Sequence, residues 1–428
     1  MSMMAIELPL SKSVVNRVLI AMAAQGKLTQ WLLQNPSVVS NGCRDTRLLV
    51  DALQGLASGM SEFDFQDAGT PCRLFTAYAA VCAQKPVTIS GNISLNNRSI
   101  LPLMDALVGM GAEVEFLEKP GHTPFTIKSG IKNWHDTEIN TSVSSQYASA
   151  LMLMAPLFAG QKRITLQDNT HSQTYIDLTL HVLEQMGIEL KVETGTEGKK
   201  ITILGSYKAI STPLGERMVM EADWSASAFF YPLLLGMGES KTLFLEGLSL
   251  SSVQGDAAMA TLGKWLGIET ETHADGVILR SSVHLKNPSE SEKPADKTPP
   301  NVDLKNNPDL VPAFVVGCCI LKQSLLLEGI HNLRYKECDR IAALQENLAY
   351  LNCTLEPMGD EEDDRWLLDT SNRNFPSQMH VETRHDHRIA MAFSTLKPWI
   401  QELTFSDSDC VEKSFPNYWE QWKKCTFE

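Results

Sequence analysis

One pattern constrains this chain more than any other: an amphipathic helix that ends in Gly or Asn and runs straight into a short alternating strand. It occurs as Met104-Asp-Ala-Leu-Val-Gly-Met-Gly111-Ala-Glu-Val and as Leu183-Glu-Gln-Met-Gly187-Ile-Glu-Leu. It returns as Leu262-Gly-Lys-Trp-Leu-Gly267-Ile-Glu-Thr and as Leu348-Ala-Tyr-Leu-Asn352-Cys-Thr-Leu. The marker residues stand 76, 80 and 85 apart, a spacing that signals repeated supersecondary units. Gly and Asn are the residues that end a helix in the left-handed conformation, so each marker predicts a stop followed by a strand. Each helix follows a β-rich run ending in Gly or Asp: Val87–Gly91, Arg163–Asp168, Thr242–Gly247 and Leu325–Gly329. Repeated strand, helix and strand predict an α/β protein. An earlier copy, Val50-Asp-Ala-Leu-Gln-Gly55, lies only 56 residues before Gly111, which makes the first repeat short by about 20 residues.

Composition narrows the function classes. At 428 residues and 43% hydrophobic, the chain has core enough for two domains or more. A net charge of −14 argues against nucleic acid or an anionic membrane as partner. No apolar run reaches the roughly 18 residues of a membrane span, and the start lacks the basic and apolar regions of a signal peptide. Nine scattered Cys without C-x-x-C pairs suit free thiols and a cytoplasmic location, with no disulfide frame and no zinc site. His284 to Pro300 is Pro, Ser, Lys and Glu with almost nothing apolar, and reads as an exposed, mobile insertion at 284–300. The run from Val311 to Leu321 is apolar all round and predicts a buried helix.

Several helix starts gather cations and hydroxyls. Asn332-Leu-Arg-Tyr-Lys-Glu-Cys-Asp-Arg340 opens an apolar-periodic run, with Asp339 as the expected N-cap. Lys336 and Arg340 at i,i+4 would repel, and a helix N-terminus is the wrong end for cations, unless an anion sits there. By itself such a run is more often a solvated, self-neutralising surface. Ser11-Lys12-Ser13 precedes a helix carrying Arg17, with Ser11 as its expected cap, and Thr141-Ser-Val-Ser144-Ser145-Gln146 opens an apolar helix. Asp67-Ala-Gly69-Thr70 is a small-residue turn onto a helix, where backbone can approach a ligand. Glu382-Thr-Arg384-His-Asp386-His387-Arg388 is a further basic helix start. Its two His, two residues apart, fit no helical metal pair, so no metal is expected. Several such starts in one acidic chain point to a polyanionic ligand held by local cations.

Together these stretches resemble the EPSP synthase family of enolpyruvyl transferases. The resemblance runs from Pro9 to the C-terminus through Ser11–Arg17, Asp67–Thr70, Ser144–Gln146 and Ser172-Gln-Thr-Tyr175-Ile-Asp. Glu221-Ala-Asp-Trp-Ser-Ala-Ser227, Asn332–Arg340, Asp386-His-Arg388 and Lys413-Ser-Phe-Pro complete it. It implies a two-domain, inside-out α/β barrel, each domain built from three βαβαββ repeats, with the site in the cleft between them. One domain would span 12–222, with its first repeat truncated, and the other 1–11 plus 223–428. The implied reaction moves the enolpyruvyl group of phosphoenolpyruvate to the 5-hydroxyl of shikimate 3-phosphate and releases phosphate, with no cofactor. The resemblance places Lys12, Ser13, Arg17, Ser144, Ser145, Gln146, Ser172, Tyr175, Asp309, Asn332 and Lys336 against shikimate 3-phosphate. It places Lys12, Gly69, Gln146, Arg340, Arg388 and Lys413 against phosphoenolpyruvate. Asp309 would be the base to the hydroxyl, Glu337 the acid and base at the methylene, and Lys12 an acid and charge stabiliser. A monomer is expected.

Three positions depart from the family pattern. Gly-x-x-Arg appears as Gly91-Asn-Ile-Ser94, the usual Asn of Asn-Ala-Gly-Thr is Asp67, and the first repeat is short. All three fall on the phosphoenolpyruvate side and predict weaker binding of that substrate than of shikimate 3-phosphate, leaving a binding-only family member as one alternative. The other is the sister transferase acting on UDP-N-acetylglucosamine, which keeps a reactive Cys in a loop where residues 83–130 here have none.

Overall fold

A computed structural model describes residues 3–142, 144–167, 172–195, 198–209, 220–238, 241–283, 299–359 and 364–426. The chain divides into two compact units, Leu10–Met220 and Met1–Pro9 with Glu221–Glu428. Each has its own hydrophobic core.

In Leu10–Met220 two four-stranded sheets share one strand order. The first runs Glu62–Asp64, Val87–Ser90, Phe125–Ser129, Glu113–Phe116, and the second Thr137–Asn140, Lys162–Gln167, Gly198–Ile203, Leu190–Gly195. In both, the first two strands are parallel and the remaining pairings antiparallel. The parallel pair is joined by a helix, because a parallel connection must cross back over the sheet, while the last two strands of each sheet, antiparallel and consecutive in the chain, need only a hairpin. The other unit repeats the arrangement. Met3–Ile6 pairs parallel with Thr242–Glu246, followed in the sheet by Gly276–Ser281 and Ile268–His273. Asn301–Asp303, Leu325–Glu328, Arg365–Asp369 and Thr354–Pro357 form the fourth sheet of this kind. Thus the first strand of one sheet comes from the N-terminus, more than 200 residues from its neighbour.

Each unit shows two such sheets rather than three among the described residues. Gln378–Val381 pairs only with Glu402–Phe405. Residues 12–57 fold as the helices Lys12–Ala24, Leu28–Gln34, Ser37–Ser40 and Arg44–Ala57, with no strand among them. The Leu28–Gln34 stretch carries no period-2 alternation, which is why no sheet forms there.

The repeat markers behave as their chemistry requires. Gly111, Gly187, Gly267 and Asn352 all have positive φ, between 53° and 94°. Gly55 does not: it lies inside its helix, where an added Cβ would stand 2.9 Å from Met60 Sδ and 3.1 Å from Phe63 Cε1. The left-handed residue of that copy is Gly59, at φ 90°. Helix Val311–Leu321 is buried at ten of its eleven positions, in keeping with its all-round apolar sequence. Of the segment 284–300, only Pro299 and Pro300 lie within the described residues.

Candidate active site

In the Glu221–Glu428 unit the candidate residues converge on one guanidinium. Helix Arg340–Ala349 starts where the sequence expects, with the Asp339 carboxylate accepting from Ala342 N at 3.0 Å. Lys336 falls outside this helix, at the end of the 3-10 turn His331–Tyr335, so the two cations do not stack at i,i+4 on one helix, although Arg340 still repels Lys336 through space. Arg340 is fully buried and satisfied by the protein's own anions: Nε donates to Asp386 Oδ2 at 2.7 Å, one Nη to Asp309 Oδ1 at 2.9 Å and the other to Glu337 Oε2 at 2.6 Å. Burial alone would lower its pKa, yet Asp386, Glu337 and Asp309 hold it well above the usual value.

A second layer of cations surrounds these carboxylates. Arg388 donates to Asp309 Oδ2 at 2.8 Å, and its backbone N–H donates to Asp386 Oδ1 at 2.9 Å. Lys413, 1% exposed, brings Nζ to 4.0 Å from Glu337 Oε1. Burial would raise the Asp309 pKa, but Arg388, Lys336 and Arg340 overcome it and hold the carboxyl far below the ordinary range. Lys336 moves down, chiefly from burial, with Asp309 opposing and Arg340 and Arg388 adding to the fall. Asn332 contributes a buried Oδ1 that has no protein partner.

One member of the group was not legible as a site residue. Asp256 is buried, accepts from the Ser225 hydroxyl, and receives Asn307 Nδ2 at 3.4 Å. Burial, then the charge of Asp309, push its pKa from 3.8 up to about 6. The folded state therefore favours the protonated form. Its contribution to stability is full below about pH 4 and is lost as pH rises through about 6. Asp256→Asn keeps the shape, and the Ser225 hydroxyl can rotate to donate or accept. The variant is expected to gain stability over the native chain by roughly 1–3 kcal/mol at pH 7 and by almost nothing at pH 4. Urea unfolding at both pH values checks this, and a difference that stays constant with pH would show that Asp256 does not titrate.

In the Leu10–Met220 unit the cations sit at three places. Lys12 begins helix Lys12–Ala24 and its Nζ meets Asp45 Oδ2 at 3.1 Å. Asp45 is 2% exposed, and its other oxygen has no partner. Ser11 occupies the cap position but makes no capping bond, and its buried hydroxyl has no partner. Arg17 is buried and ties three helices together, donating to Thr179 Oγ1 at 2.7 Å, Ser13 O at 2.7 Å, Ser149 Oγ at 3.2 Å and Tyr175 O at 3.2 Å. Among the described residues these bonds engage four of its five N–H donors. Burial, partly offset by Tyr175, lowers its pKa to about 10.

Gln146 begins helix Gln146–Met154, its Oε1 accepting from Arg73 at 2.7 Å and its Nε2 donating to Thr70 Oγ1 at 2.8 Å. Its backbone N–H donates to Ser144 Oγ at 3.2 Å, and Ser145 stands at the cap position without a side-chain bond. Ser172 takes the left-handed conformation, φ 56°, just before the Gln173–Gln185 helix that carries Tyr175. Gly69 begins helix Gly69–Cys82, and Asp67 just before it pairs with Arg44 at 2.5 Å, so the acidic departure from the family pattern carries its own counter-charge.

Asp45, Asp256 and Asp386 are carboxylates beside the candidate residues that sequence reading left without a role. Asp45 reads as an ordinary acid in a first helical turn, which is favoured on dipole grounds alone.

A sequence profile described as EPSP synthase (3-phosphoshikimate 1-carboxyvinyltransferase) matches residues 45–422. The chain is 29% identical to a 3-phosphoshikimate 1-carboxyvinyltransferase of Bacteroides fragilis over 99% of its own length and 95% of the relative's. It is 28% identical to one from Methanoregula boonei, covering 97% of this chain and 96% of that protein. In fold it is similar to EPSP synthase from Acinetobacter baumannii, with a TM-score of 0.66, 19% identity, and 99% and 96% of the two chains covered. A Streptomyces tendae enolpyruvyl transferase is similar in fold too, with a TM-score of 0.63, 12% identity, and 98% and 94% covered. With the profile spanning most of its length, the chain belongs to the EPSP synthase family.

Proposed function

We propose that the chain catalyses transfer of the enolpyruvyl group of phosphoenolpyruvate to the 5-hydroxyl of shikimate 3-phosphate. The observation that carries the reading is the Arg340 centre, where Asp309 and Glu337 share one buried guanidinium and Arg388, Lys336 and Lys413 stand around them. In the reaction the hydroxyl oxygen bonds to the enol carbon, the bond from that carbon to the phosphate oxygen breaks, and phosphate leaves. One proton must come off the hydroxyl and one must reach and later leave the methylene carbon, so two carboxylates in one cationic cage match the demand.

Asp309 takes the hydroxyl proton. Its carboxyl is held ionised by Arg388, Lys336 and Arg340 and is by itself a weak base. Anionic substrates offset those cations and raise its basicity as the site fills. Glu337 serves the methylene carbon, and Lys12 and Lys413 balance the charge that develops. Lys12, Ser13, Arg17, Ser144, Ser145, Gln146, Ser172, Tyr175, Asp309, Asn332 and Lys336 take shikimate 3-phosphate. Arg340, Arg388, Lys413 and Gly69 take phosphoenolpyruvate.

Incubation with both substrates, followed by mass spectrometry of the product and phosphate release, tests the reading. Phosphate release that depends on both substrates, with a shikimate product heavier by one enolpyruvyl group, is expected. Release from phosphoenolpyruvate alone, or a product built on UDP-N-acetylglucosamine instead, overturns it.

A further inference from the structure

Where the family pattern has an Arg at position 94, this chain has Ser, yet the start of helix Gly69–Cys82 is not poor in cations. A Cβ built on Gly69 would meet Arg73 Nη1 at 2.8 Å and Arg98 Nη1 at 2.8 Å. Two guanidinium nitrogens thus lie within twice that distance of each other, at a helix N-terminus whose cap residue, Ala68, offers no side-chain bond. Arg73 is 8% exposed, and its buried Nε has no hydrogen-bond partner. Its Nη1 donates to Gln146 Oε1, and its guanidinium lies 5.5 Å from the Tyr147 ring centre, so packing holds it in place.

Arg98 arrives by a different route. Asn92 caps the single turn Ile93–Asn96, accepting from Leu95 N at 3.2 Å. One turn further on, Arg98 folds back so that Nε donates to the Ser94 carbonyl at 3.2 Å and Nη2 to the Asp67 carbonyl at 2.5 Å. The Ser94 backbone therefore helps to hold the arginine that stands near Gly69. Asp67, the carboxylate of this group, is paired with Arg44.

Bringing two like-charged, partly desolvated guanidiniums this close costs free energy that a bound anion recovers, because each Arg–anion contact is charge-assisted and planar. Glycine at 69 leaves both guanidiniums room to stand at the helix start, an end that favours an anion. We infer that Arg73 and Arg98 form the anion clamp of this chain for phosphoenolpyruvate, with Arg98 taking over the role that the family pattern gives to position 94. The inference rests on the reaction proposed above for the identity of the anion, but the clamp itself is a property of the Leu10–Met220 unit.

The test compares Arg98→Gln, Arg73→Gln and the double variant Ser94→Arg with Arg98→Gln, in the full chain. Phosphoenolpyruvate and shikimate 3-phosphate binding are measured by calorimetry and, in parallel, KM for each substrate from phosphate release. Arg98→Gln is expected to weaken phosphoenolpyruvate binding about tenfold to a hundredfold while shikimate 3-phosphate binding stays within about twofold. Adding Ser94→Arg should recover most of the loss, which a merely structural role of Arg98 does not explain. Arg73 is buried, so Arg73→Gln is read only if its melting curve matches the native chain; Arg98 is half-buried and carries the test by itself. Native turnover with phosphoenolpyruvate affinity unchanged in Arg98→Gln overturns the clamp and leaves the reaction standing. Phosphoenolpyruvate binding that is lost in Arg98→Gln, in a protein that forms no product, overturns the reaction and leaves the clamp. Absence of phosphoenolpyruvate binding to the native chain, even with shikimate 3-phosphate present, overturns both.

Discussion

Glu337→Gln is expected to lower kcat by about 10²–10⁴-fold while leaving the affinity for shikimate 3-phosphate unchanged or slightly improved. The Glu337 carboxylate accepts from Arg340 at 2.6 Å and stands 4.0 Å from Lys413 Nζ. A glutamine of the same shape still offers an oxygen to Arg340, so the guanidinium keeps its orientation, held as well by Asp309 and Asp386. What is lost is the group able to carry a proton to and from the methylene carbon. A negative charge also leaves a site meant for anions, which is why binding should not suffer. If Glu337 served only to neutralise and orient Arg340, the result would be reversed: phosphoenolpyruvate affinity would fall and turnover of the bound complex would persist. Single-turnover measurement at saturating substrate separates these outcomes.

Arg340→Met is expected to be the most destabilising single change in the site. Methionine fills much of the volume but leaves Asp309, Glu337 and Asp386 without their shared counter-charge, Asp386 being wholly buried. Removing one partner from a buried ionic network costs about 3–5 kcal/mol, because the remaining charges cannot regain water. For a folding unit of about 200 residues this lowers Tm by about 10 °C. The deficit should shrink as the pH is lowered and the orphaned carboxyl groups take up protons. A deficit that stays constant with pH would mean that lost packing, rather than unpaired charge, is the cause. A network of this kind need not be more stable than an apolar core of the same volume. For the reaction proposed above its rationale is chemical: it keeps Asp309 ionised and holds Asp309 and Glu337 in place around one guanidinium.

Local order was readable from the chain itself. Helix stops at Gly111, Gly187, Gly267 and Asn352, the strands that flank them, the Asp339 cap and the buried Val311–Leu321 helix all follow from interactions within a few residues. Backbone conformation and hydrophobic period are set at that range, so sequence alone determined the α/β class and the positions of most helix starts. Gly55 shows the boundary of that reading: a glycine beside a helix end reads as a stop, but tight packing against Met60 and Phe63 placed it inside the helix instead. Which charge meets which was decided only by the tertiary structure. Arg340 draws its three carboxylates from 31, 3 and 46 residues away, Lys12 finds Asp45 33 residues on, and Arg17 finds Thr179 162 residues on. Desolvation, which raises Asp256, and the surrounding cations, which depress Asp309, arise from the same packing. Charge pairing acts through space between groups that sequence distance does not relate, and burial has no value until the chain has folded around the group.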